Sequence, residues 1–564
     1  MEREGLQRSW APGRNYSLQR FLHLSHSGFD RAVNQIKPIL SIAGIIYIVV
    51  VQLPLISEYR PVIIDEFLIA DSSYAMASGE TNVPALKAWG HVIPEFGRIN
   101  FHYPPAYLYL SALAYRILGF SIVSTGVLHA VLRLLSAVCF FLLAKKSGHS
   151  TFACVMLTTV WTSFAHGPIG RPEDLAILLL VAGLLLLSGK SRTGFRLALT
   201  GMFLGMTILT HPIAVMAILP CAIIALWMNH HGNIKRVIIE LWTLGVVMGI
   251  VSLLWLIWII PYWPEFKTIF IDYVLPDAAG SSYKHSLTQF VREAVSGKWC
   301  GWAFPGLIHL YQFQYSLIPI ASLVGYIVVY RMKNRLDGLV ILLTVGLIPF
   351  LFARGHYYCY HMTWMSVSLV TLLGLLGTRS IVKNNGWFGG TRPIVPWFLV
   401  LMIAVQVMGH ATGQAKQVAN TIHLNRLGHV LPHASLLTAI PPNEKVILND
   451  GYAFYHIRSK NPVFWPCGLK GLTTSGLPFK ADYDPSFRWM ILDRPLSEDK
   501  NPGLKFAWDL KSWHWFNDNF KLYRISKVDP SLAKYMRKFP ERLYLYIREA
   551  RMVHQGHPIK TKRY

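Results

Sequence analysis

The sequence predicts a mainly α-helical polytopic membrane bundle that crosses the bilayer about eleven times and ends in an extracytoplasmic α/β domain. Three observations predict this architecture. Of the 564 residues, 53% are hydrophobic and only 15% are charged, whereas soluble proteins carry about 25% charged residues. Basic residues recur in every second loop between long apolar segments. After about residue 410, short strand-like runs replace those segments.

A membrane-spanning helix needs roughly 20 mostly apolar residues, within a range of about 17 to 25. Eleven segments approach that length; several are short, and the two that flank His211 are also compatible with one broken span. The segments are residues 38–56, 122–144, 151–166, 174–189, 197–210, 212–229, 237–260, 305–330, 338–353, 362–378 and 395–410. The sequence therefore predicts an N-terminal segment at 1–36, a transmembrane domain at 37–410 and a separate domain at 411–564.

The loops predict the orientation. Every second connection is short and basic, and Asp337 is the one acid among these loops. Their basic residues are Lys145, Lys146, Lys190, Arg192, Arg196, Lys235, Arg236, Arg331, Lys333, Arg335, Arg379, Lys383 and Arg392. Because Lys and Arg accumulate in cytoplasmic loops, we expect a multi-pass plasma (cell inner) membrane protein with a cytoplasmic N-terminus and an extracytoplasmic C-terminal domain.

The same distribution explains the formal net charge of +25. Proteins that bind nucleic acid gather Lys and Arg on one face, interleaved with aromatic side chains that stack on bases. Here much of the excess lies in the short loops between apolar segments. The sequence therefore predicts contact with membrane lipids and argues against nucleic acid as a partner.

The first extracytoplasmic loop, residues 57–121, carries much of the chemistry. Apolar residues recur at helical spacing from Phe67 to Ala77, and Gly79 follows them, which predicts a helix lying along the membrane surface. A second apolar helix is predicted at 106–118, either on the surface or partly entering the bilayer.

The C-terminal domain shows a different periodicity. Residues 446–448, 489–492 and 521–525 are short apolar runs bounded by turn residues, which predicts strands. Helical segments between them favour a small α/β domain. The basic tail from Pro530 has Leu and Tyr at helical spacing and is predicted to be a helix.

Two acidic pairs stand next to predicted spans on the extracytoplasmic side. Asp65 and Glu66 follow the first span; a carboxylate there can act as a general base on an acceptor hydroxyl, and the alternative is two solvated loop acids. The second pair, Glu173 and Asp174, lies with Arg171 at the start of the span at 174–189. Such residues line a polar cavity or pair to close the helix start.

A third polar cluster lies in the loop between the ninth and tenth segments, at residues 354–361. Cations and hydroxyl donors together suit a phosphate oxyanion at the lipid surface, and an interfacial tyrosine belt is the alternative. The members that suit a phosphate or a sugar are Arg354, His356, Tyr357 and His361. Weaker candidates for the same pocket are His102, Tyr103, His211 and Lys284.

The order of these motifs resembles a known family. The motifs are Asp65-Glu66, Tyr74-Ala75-Met76-Ala77-Ser78-Gly79, Tyr103-Pro104-Pro105, Gly170-Arg171-Pro172-Glu173 and Leu209-Thr210-His211-Pro212. They are similar to those of GT-C fold glycosyltransferases, in particular the branch that includes protein O-mannosyltransferases and lipid A aminoarabinose transferases. The resemblance covers residues 38–410.

The resemblance implies transfer of a sugar from a polyprenyl-phosphate donor to an acceptor hydroxyl on the extracytoplasmic face. Asp65 matches the family's catalytic acid, and Glu173 matches a second functional acid. Two departures concern the substrates: His102-Tyr103 stands where the aminoarabinose branch has Glu-Lys, and His211 stands where the family often has Lys. The sugar, and whether the acceptor is a lipid, a glycan or a protein, therefore stay open.

The mechanism expected from these residues is inverting. Asp65, next to Glu66, is the predicted base, and Glu173 is the second acid. Arg354 and His356 are the first candidates for binding the leaving phosphate, followed by Lys284 and Arg171. The sequence shows no dedicated metal site, and a divalent cation bridging Asp65 and the phosphate is an open alternative.

Two rival functions are a polytopic transporter or flippase of lipid-linked sugars, and an inactive GT-C scaffold in polysaccharide assembly. Transporters often show internal repeats and ionisable residues near the midplane of the bilayer. This sequence shows no repeat, and its polar clusters gather on one face. That asymmetry favours chemistry at the membrane surface.

Overall fold

The structure is a computed structural model. It describes residues 35–57, 64–85, 97–101, 103–167, 169–188, 194–230, 232–274, 318–331, 335–352, 358–376, 394–427, 432–448, 457, 461, 463–464, 487–492, 520–530 and 542–548.

Each of the predicted apolar segments contains a helix. Together with two helices of the first loop and a short one at the C-terminal domain, they are α1 (Gln35–Ile56), α2 (Ile64–Ala77), α3 (Pro105–Leu118), α4 (Ile122–Lys146), α5 (Thr151–Phe164), α6 (Glu173–Leu187), α7 (Gly194–Thr210), α8 (Val215–Asn229), α9 (Ile234–Ile259), α10 (Ile318–Arg331), α11 (Arg335–Phe352), α12 (Tyr358–Leu375), α13 (Ile394–Leu427) and α14 (Pro432–Leu437).

Within the described part of the chain, five helical stretches are long and apolar enough to cross a membrane. They are Gln35–Ile56, Ile122–Lys146, Pro212–Asn229, Ile234–Ile271 and Phe398–His423. Shorter apolar helices include Thr151–Phe164 and Gly194–Thr210. A multi-pass membrane bundle therefore agrees with the structure, whereas the count of eleven spans stays a prediction.

Short polar side chains cap the start of several helices. Ser121 accepts a hydrogen bond from the amide of Ser124 at the start of α4, and Asn233 accepts one from the amide of Arg236 at the start of α9. Such caps satisfy amide groups that have no partner within the helix. The chain breaks at His211, whose extended backbone separates the end of α7 from a short 3-10 turn before α8.

The core of the bundle is apolar and closely packed. Phe140 of α4 stacks on Trp161 of α5, with ring centroids 4.4 Å apart. Trp364 of α12 is fully buried in the same core. The end of α1 approaches α4 so closely that a Cβ atom at Gly126 would stand 1.9 Å from the carbonyl oxygen of Leu55.

Helix α2 is buried on both faces, contrary to the expected surface helix. Its apolar residues enter several buried clusters, and its polar residues Glu66, Asp71 and Ser73 are at most 1% exposed. The Ser73 hydroxyl donates to the carbonyl of Leu108 in α3 at 3.2 Å. The helical period in the sequence was correct, but α3 and Gly170 cover residues of the face that was expected to be solvated.

Arg116 of α3 caps the C-terminal end of α2. Its guanidinium donates to the carbonyl oxygens of Met76 at 2.8 Å and Ala77 at 3.4 Å. A cation at this end of a helix also interacts favourably with the helix dipole. Gly79 then turns the chain with φ of 79°, so α2 ends where the sequence predicts.

The C-terminal part of the chain forms a five-stranded sheet in the order β2-β1-β3-β5-β4. The strands are β1 (Lys445–Leu448), β2 (Val463–Phe464), β3 (Phe487–Leu492), β4 (Phe520–Lys527) and β5 (Arg542–Arg548). β1 pairs in parallel with β2 and β3, whereas β5 is antiparallel to both β3 and β4. The three strands predicted from the sequence are confirmed.

The predicted helix in the tail is wrong for residues 542–548, which form strand β5. Leu543 and Leu545 are fully buried on one face of the sheet, so the relevant period is two and not the helical period. Pairing on both sides makes this a central strand, which favours its Leu, Tyr and Ile residues. Apart from Pro530, the other residues of the tail lie outside the described part.

The sheet and the first loop share one hydrophobic cluster. Phe67 and Leu68 of α2 belong to the same buried cluster as Val446, Trp489 and Leu545 of the sheet. The sheet therefore lies on the same side of the bundle as α2. Helix α13 reaches this side without interruption, because it continues to Leu427, beyond the predicted end of the last span.

We expect Arg116→Met to loosen the last turn of α2. The substitution keeps the apolar stem but removes hydrogen bonds from a charged donor, each worth about 1.5–3 kcal/mol. Amide hydrogen exchange near residues 76–79 is expected to rise by about tenfold or more.

Arg98→Met is the matched control, since Arg98 is also exposed but pairs with Glu265 at 2.6 Å. Equal exchange near residues 76–79 in the wild type and Arg116→Met would contradict the capping role.

Candidate active site at the start of α6

The start of α6 meets the start of α2 through a glycine. Gly170 has φ of 79°, and a Cβ atom there would lie 2.2 Å from Cγ of Glu66. The contact has no room for a larger residue, and the backbone conformation disfavours any other side chain. The acidic pair of the first loop and the Arg171-Pro172-Glu173 motif, which are far apart in the sequence, thus lie side by side.

Glu173, Arg171 and His211 form a buried ionic cluster. Oε1 of Glu173 accepts a hydrogen bond from Nε of Arg171 at 2.8 Å and lies 3.4 Å from Nε2 of His211. Glu173 is fully buried, and the other two are 5–6% exposed. The guanidinium of Arg171 lies 5.9 Å from the ring centroid of Tyr103, within the range of a cation–π contact. Four of the residues predicted from the sequence therefore meet at one place.

Two polar atoms of this cluster are buried without a hydrogen-bond partner among the described residues. They are Oε2 of Glu173 and Nδ1 of His211. Trp364 packs beside His211, with ring centroids 5.5 Å apart. Unpaired buried polar atoms cost about 1–3 kcal/mol each, so the cluster is chemically incomplete and suited to a polar ligand.

The charge state of Glu173 follows from its neighbours. Glu173 lies at the first residue of α6, before the predicted span at 174–189. Burial raises the pKa of its carboxyl, but the positive charge of Arg171 and the contact with His211 outweigh burial and hold the pKa below its ordinary value. Glu173 is therefore a carboxylate at neutral pH, and Arg171 balances its charge.

The next residue, Asp174, faces the other way. Its Oδ2 accepts hydrogen bonds from Nδ1 of His129 and Nε of Arg133, both at 2.6 Å. Its Oδ1 accepts the amide of Gly167 at 2.8 Å, and Nη2 of Arg133 donates to the carbonyl of Gly167 at 2.6 Å. These hydrogen bonds connect Gly167 and the start of α6 to α4.

Two hydrogen-bond contacts define the acceptor nitrogen of His129. Its Nε2 accepts the amide of Gly170 at 2.8 Å and lies 2.6 Å from the hydroxyl of Tyr107. Burial raises the pKa of Tyr107 well above its usual value, so this hydroxyl is protonated and donates. Both contacts require an unprotonated Nε2, and the proton therefore lies on Nδ1, which faces Asp174.

Sequence reasoning did not single out His129 or Arg133. The signal was present, because both lie inside the predicted span at 122–144, where charged and polar side chains are costly unless they have a partner. The sequence did not reveal the partner of either residue, because Asp174 was interpreted together with Glu173 as an acid at a capped helix start.

A cavity of about 280 Å³ lies beside this network. It is lined from the end of α1 and from α4, α5 and α13, and Glu66 contributes from α2. Its polar lining residues include Gln52, Arg133, Thr162, His166, His410, Gln414 and Gln417. Gly167 lines the cavity and also packs against Glu173, so the cavity adjoins the Glu173 cluster.

For several predicted site residues, the side chain or the whole residue lies outside the described part of the chain. Asp65 belongs to α2 and His361 to α12, but their side chains lie outside the described part. Four loop residues also lie outside the described residues, along with His102: they are Lys284, Arg354, His356 and Tyr357. Their roles stay predictions. Within the described residues, no group of three or more His, Cys, Asp or Glu is arranged to hold a metal ion.

The chain matches no protein-family model, and no curated protein matches it. Among solved structures, it is similar to ArnT from Cupriavidus metallidurans bound to undecaprenyl phosphate, with 14% sequence identity and a TM-score of 0.51 over 92% of this chain and 99% of that chain. The same protein in the apo state gives 14% identity and a TM-score of 0.48, over 92% of this chain and 98% of the other. The resemblance to aminoarabinose transferases is therefore confirmed at the level of the fold.

We expect Gly170→Ala to disrupt the junction between α2 and α6. The left-handed backbone costs an alanine roughly 1–2 kcal/mol, and the clash with Glu66 adds the cost of overpacking, about 1–3 kcal/mol. The measurement is the thermal unfolding midpoint of the purified protein.

Gly79→Ala is the control that separates the cost of the left-handed backbone from the cost of the clash with Glu66. Gly79 has the same φ of 79°, but nothing lies within 4 Å of the position of its Cβ. A loss of stability that is no larger for Gly170→Ala than for Gly79→Ala would show that the contact with Glu66 is loose.

Proposed function

We propose that the chain is an inverting membrane glycosyltransferase. It transfers a sugar from a polyprenyl-phosphate donor to a hydroxyl of a lipid, glycan or protein acceptor on the extracytoplasmic face of the plasma (cell inner) membrane. The observation that carries the proposal is the contact between Glu66 and Gly170, because it brings the predicted catalytic loop to the ionic cluster of Arg171, Glu173 and His211.

The fold supports the same proposal. A protein of similar fold is bound to undecaprenyl phosphate, so this architecture is compatible with a polyprenyl-phosphate ligand. The position of the C-terminal sheet on the side of α2 agrees with a site that faces one compartment. The basic loops on the opposite side suggest that this compartment is extracytoplasmic.

The reaction that we propose begins with the acceptor hydroxyl. Its oxygen attacks the anomeric carbon from the face opposite the phosphate, and its proton passes to the carboxylate of Asp65. The bond between the anomeric carbon and the phosphate oxygen breaks, and the phosphate leaves with the electron pair as polyprenyl phosphate. The configuration inverts, and the transition state has oxocarbenium character, as in glycosidases.

The leaving group needs positive charge more than it needs a proton. Arg171 pairs with Glu173 at 2.8 Å, and part of its charge is therefore already balanced. This pairing favours Arg354 and His356 as the main phosphate ligands, with Lys284 in support. We expect Glu173 and His211 to form hydrogen bonds with the sugar through Oε2 and Nδ1, which have no partner in the described structure.

We expect Asp65→Asn to abolish transfer while the protein stays folded, since an amide cannot accept the hydroxyl proton. The wild type and the variant are incubated in lipid nanodiscs with a panel of radiolabelled polyprenyl-phosphate sugars, and donor consumption is measured with water or an added acceptor. Glu80→Gln is the control, because Glu80 is an exposed acid of the same loop.

Donor consumption that is equal in the wild type and Asp65→Asn would show that Asp65 is not the base. If the wild type neither consumes nor binds any donor of the panel, the proposed activity is wrong and a transporter or an inactive scaffold is favoured.

We expect Arg354→Gln to slow donor consumption by roughly a hundredfold to a thousandfold, by comparison with the loss of one donor from an oxyanion hole. The rate is measured at saturating donor, so that weaker binding alone does not explain the effect. A rate within a few-fold of the wild type would remove Arg354 from the phosphate site.

A further inference from the structure

Strand β4 is exposed on the face that the neighbouring strands bury. It is the last strand in the sheet order and pairs only with β5 among the described strands. Directly paired residues project to the same face of a sheet. Ile491 of β3 pairs with Leu545 of β5, which pairs with Arg524 of β4. The first two are fully buried and Arg524 is exposed, so the cover of this face ends before β4.

A neighbouring row of paired residues shows the same decrease in burial. Trp489 of β3 is buried, Ile547 of β5 is half-buried and Lys521 of β4 is exposed. Between the two rows the pairing register shifts, and Tyr523 is the extra residue. Its exposed ring stands edge-on to that of Trp489, with centroids 5.3 Å apart. Lys521, Tyr523 and Arg524 therefore form one exposed surface, which we call the β4 patch.

The direction of this face follows from the contacts of its buried part. Strands β3 and β5 share a hydrophobic cluster with Ile259, at the end of α9, and Trp258 and Tyr262 pack against that cluster. Trp and Tyr are enriched where a span leaves the bilayer, so the cluster lies at the membrane interface. The twist between neighbouring strands, about 20–25°, is too small to turn the β4 patch away from it.

Helix α9 brings lipid to this place. Its apolar side chains are exposed along its length, including Trp242 at 75% and Ile257 at 65%. A large exposed apolar surface on a helix long enough to span a membrane faces lipid tails. The headgroups of that lipid therefore lie next to the cluster on which the sheet rests, on the side toward which the β4 patch points.

The chemistry of the β4 patch suits an anionic headgroup. Arg524 presents a planar fork of N–H donors that matches the oxygens of a phosphate. Lys521 adds positive charge, and the ring and hydroxyl of Tyr523 suit the boundary between water and lipid. A second copy of the chain would bring the same positive charges to this edge and be repelled.

An acidic protein segment would offer the same charge as a lipid phosphate, but it would have to bind from solution. The helical bundle instead keeps lipid headgroups beside this face at all times, which raises their effective concentration. Continuity with the aromatic end of α9 therefore favours lipid as the occupant.

We propose that the β4 patch binds the anionic phospholipid headgroups of the adjacent membrane leaflet. This contact supports the outer edge of the sheet and so helps to hold the sheet against Phe67 and Leu68 of α2, with which it shares a cluster. The proposal goes beyond glycosyl transfer and does not depend on it.

The competing explanation is protection of a sheet edge. Proteins place Lys and other charged residues on edge strands to prevent pairing with another chain. That explanation needs exposed charge on either face of β4, whereas lipid binding needs it on the face directed at the membrane. The two faces can be compared, because each carries two cations.

The experiment uses the full chain in nanodiscs of phosphatidylcholine alone and of phosphatidylcholine mixed with phosphatidylglycerol. Amide hydrogen exchange is measured for peptides that cover β4. In the wild type, exchange is expected to be slower in the anionic nanodiscs by about fivefold for each cation of the patch, because opening of the edge strand releases the lipid contact. High salt is expected to remove this difference, since it screens the attraction.

The double variant Lys521→Gln/Arg524→Gln is expected to exchange equally in the two kinds of nanodisc. Lys527→Gln/Arg542→Gln is the matched control, because Lys527 and Arg542 are exposed and pair across the same two strands on the opposite face. The control is expected to keep the difference of the wild type. Exchange of β1 and β3 in neutral nanodiscs shows whether each variant is folded.

Equal exchange of the wild type in both kinds of nanodisc overturns the proposal and leaves protection of the edge. A difference that persists in Lys521→Gln/Arg524→Gln also overturns it, and so does a difference that the control variant loses to the same extent, since net charge would then explain it. Slower exchange with added polyglutamate, without any effect of anionic lipid, would identify an acidic protein segment as the occupant instead.

Discussion

The arrangement of the site depends on one buried carboxylate, that of Asp174. Removing a charge from water costs several kcal/mol unless partners surround it, and three groups do so here: His129, Arg133 and the amide of Gly167. Those bonds fix the loop before α6, and Glu173 in the neighbouring position pairs on the other side with Arg171. Two consecutive acids thus pair with different groups at the start of α6.

Much of the fold was predictable because apolar length and loop charge are local properties of the sequence. The helix at Phe67–Ala77 was predicted from its period and its terminal glycine, and strands β1, β3 and β4 from short apolar runs. Burial was harder to predict. The polar face of α2 is covered by elements distant in sequence, and β5 became a strand because β3 and β4 pair with it. Its sequence alone fitted a helix as well.

The candidate site was predictable where a motif carries its own chemistry. Arg171 and Glu173 stood out as charges at the edge of a span, and the structure brings them to His211 and Tyr103. The pairing of Arg133 with Asp174 was not predictable, because it joins two helices whose relative rotation depends on packing. The same holds for the cavity, whose lining comes from five helices and a loop.

The cluster that joins Phe67 and Leu68 to the sheet bears on how such a chain can evolve. A domain that keeps its own core can be lost, exchanged or duplicated without harm to its neighbour. Here the apolar residues that cover α2 belong to the C-terminal strands, and removing them would expose the helix that carries Asp65 to water. The two parts are consequently constrained to change together, and recombination that replaced one of them would have to preserve this shared surface.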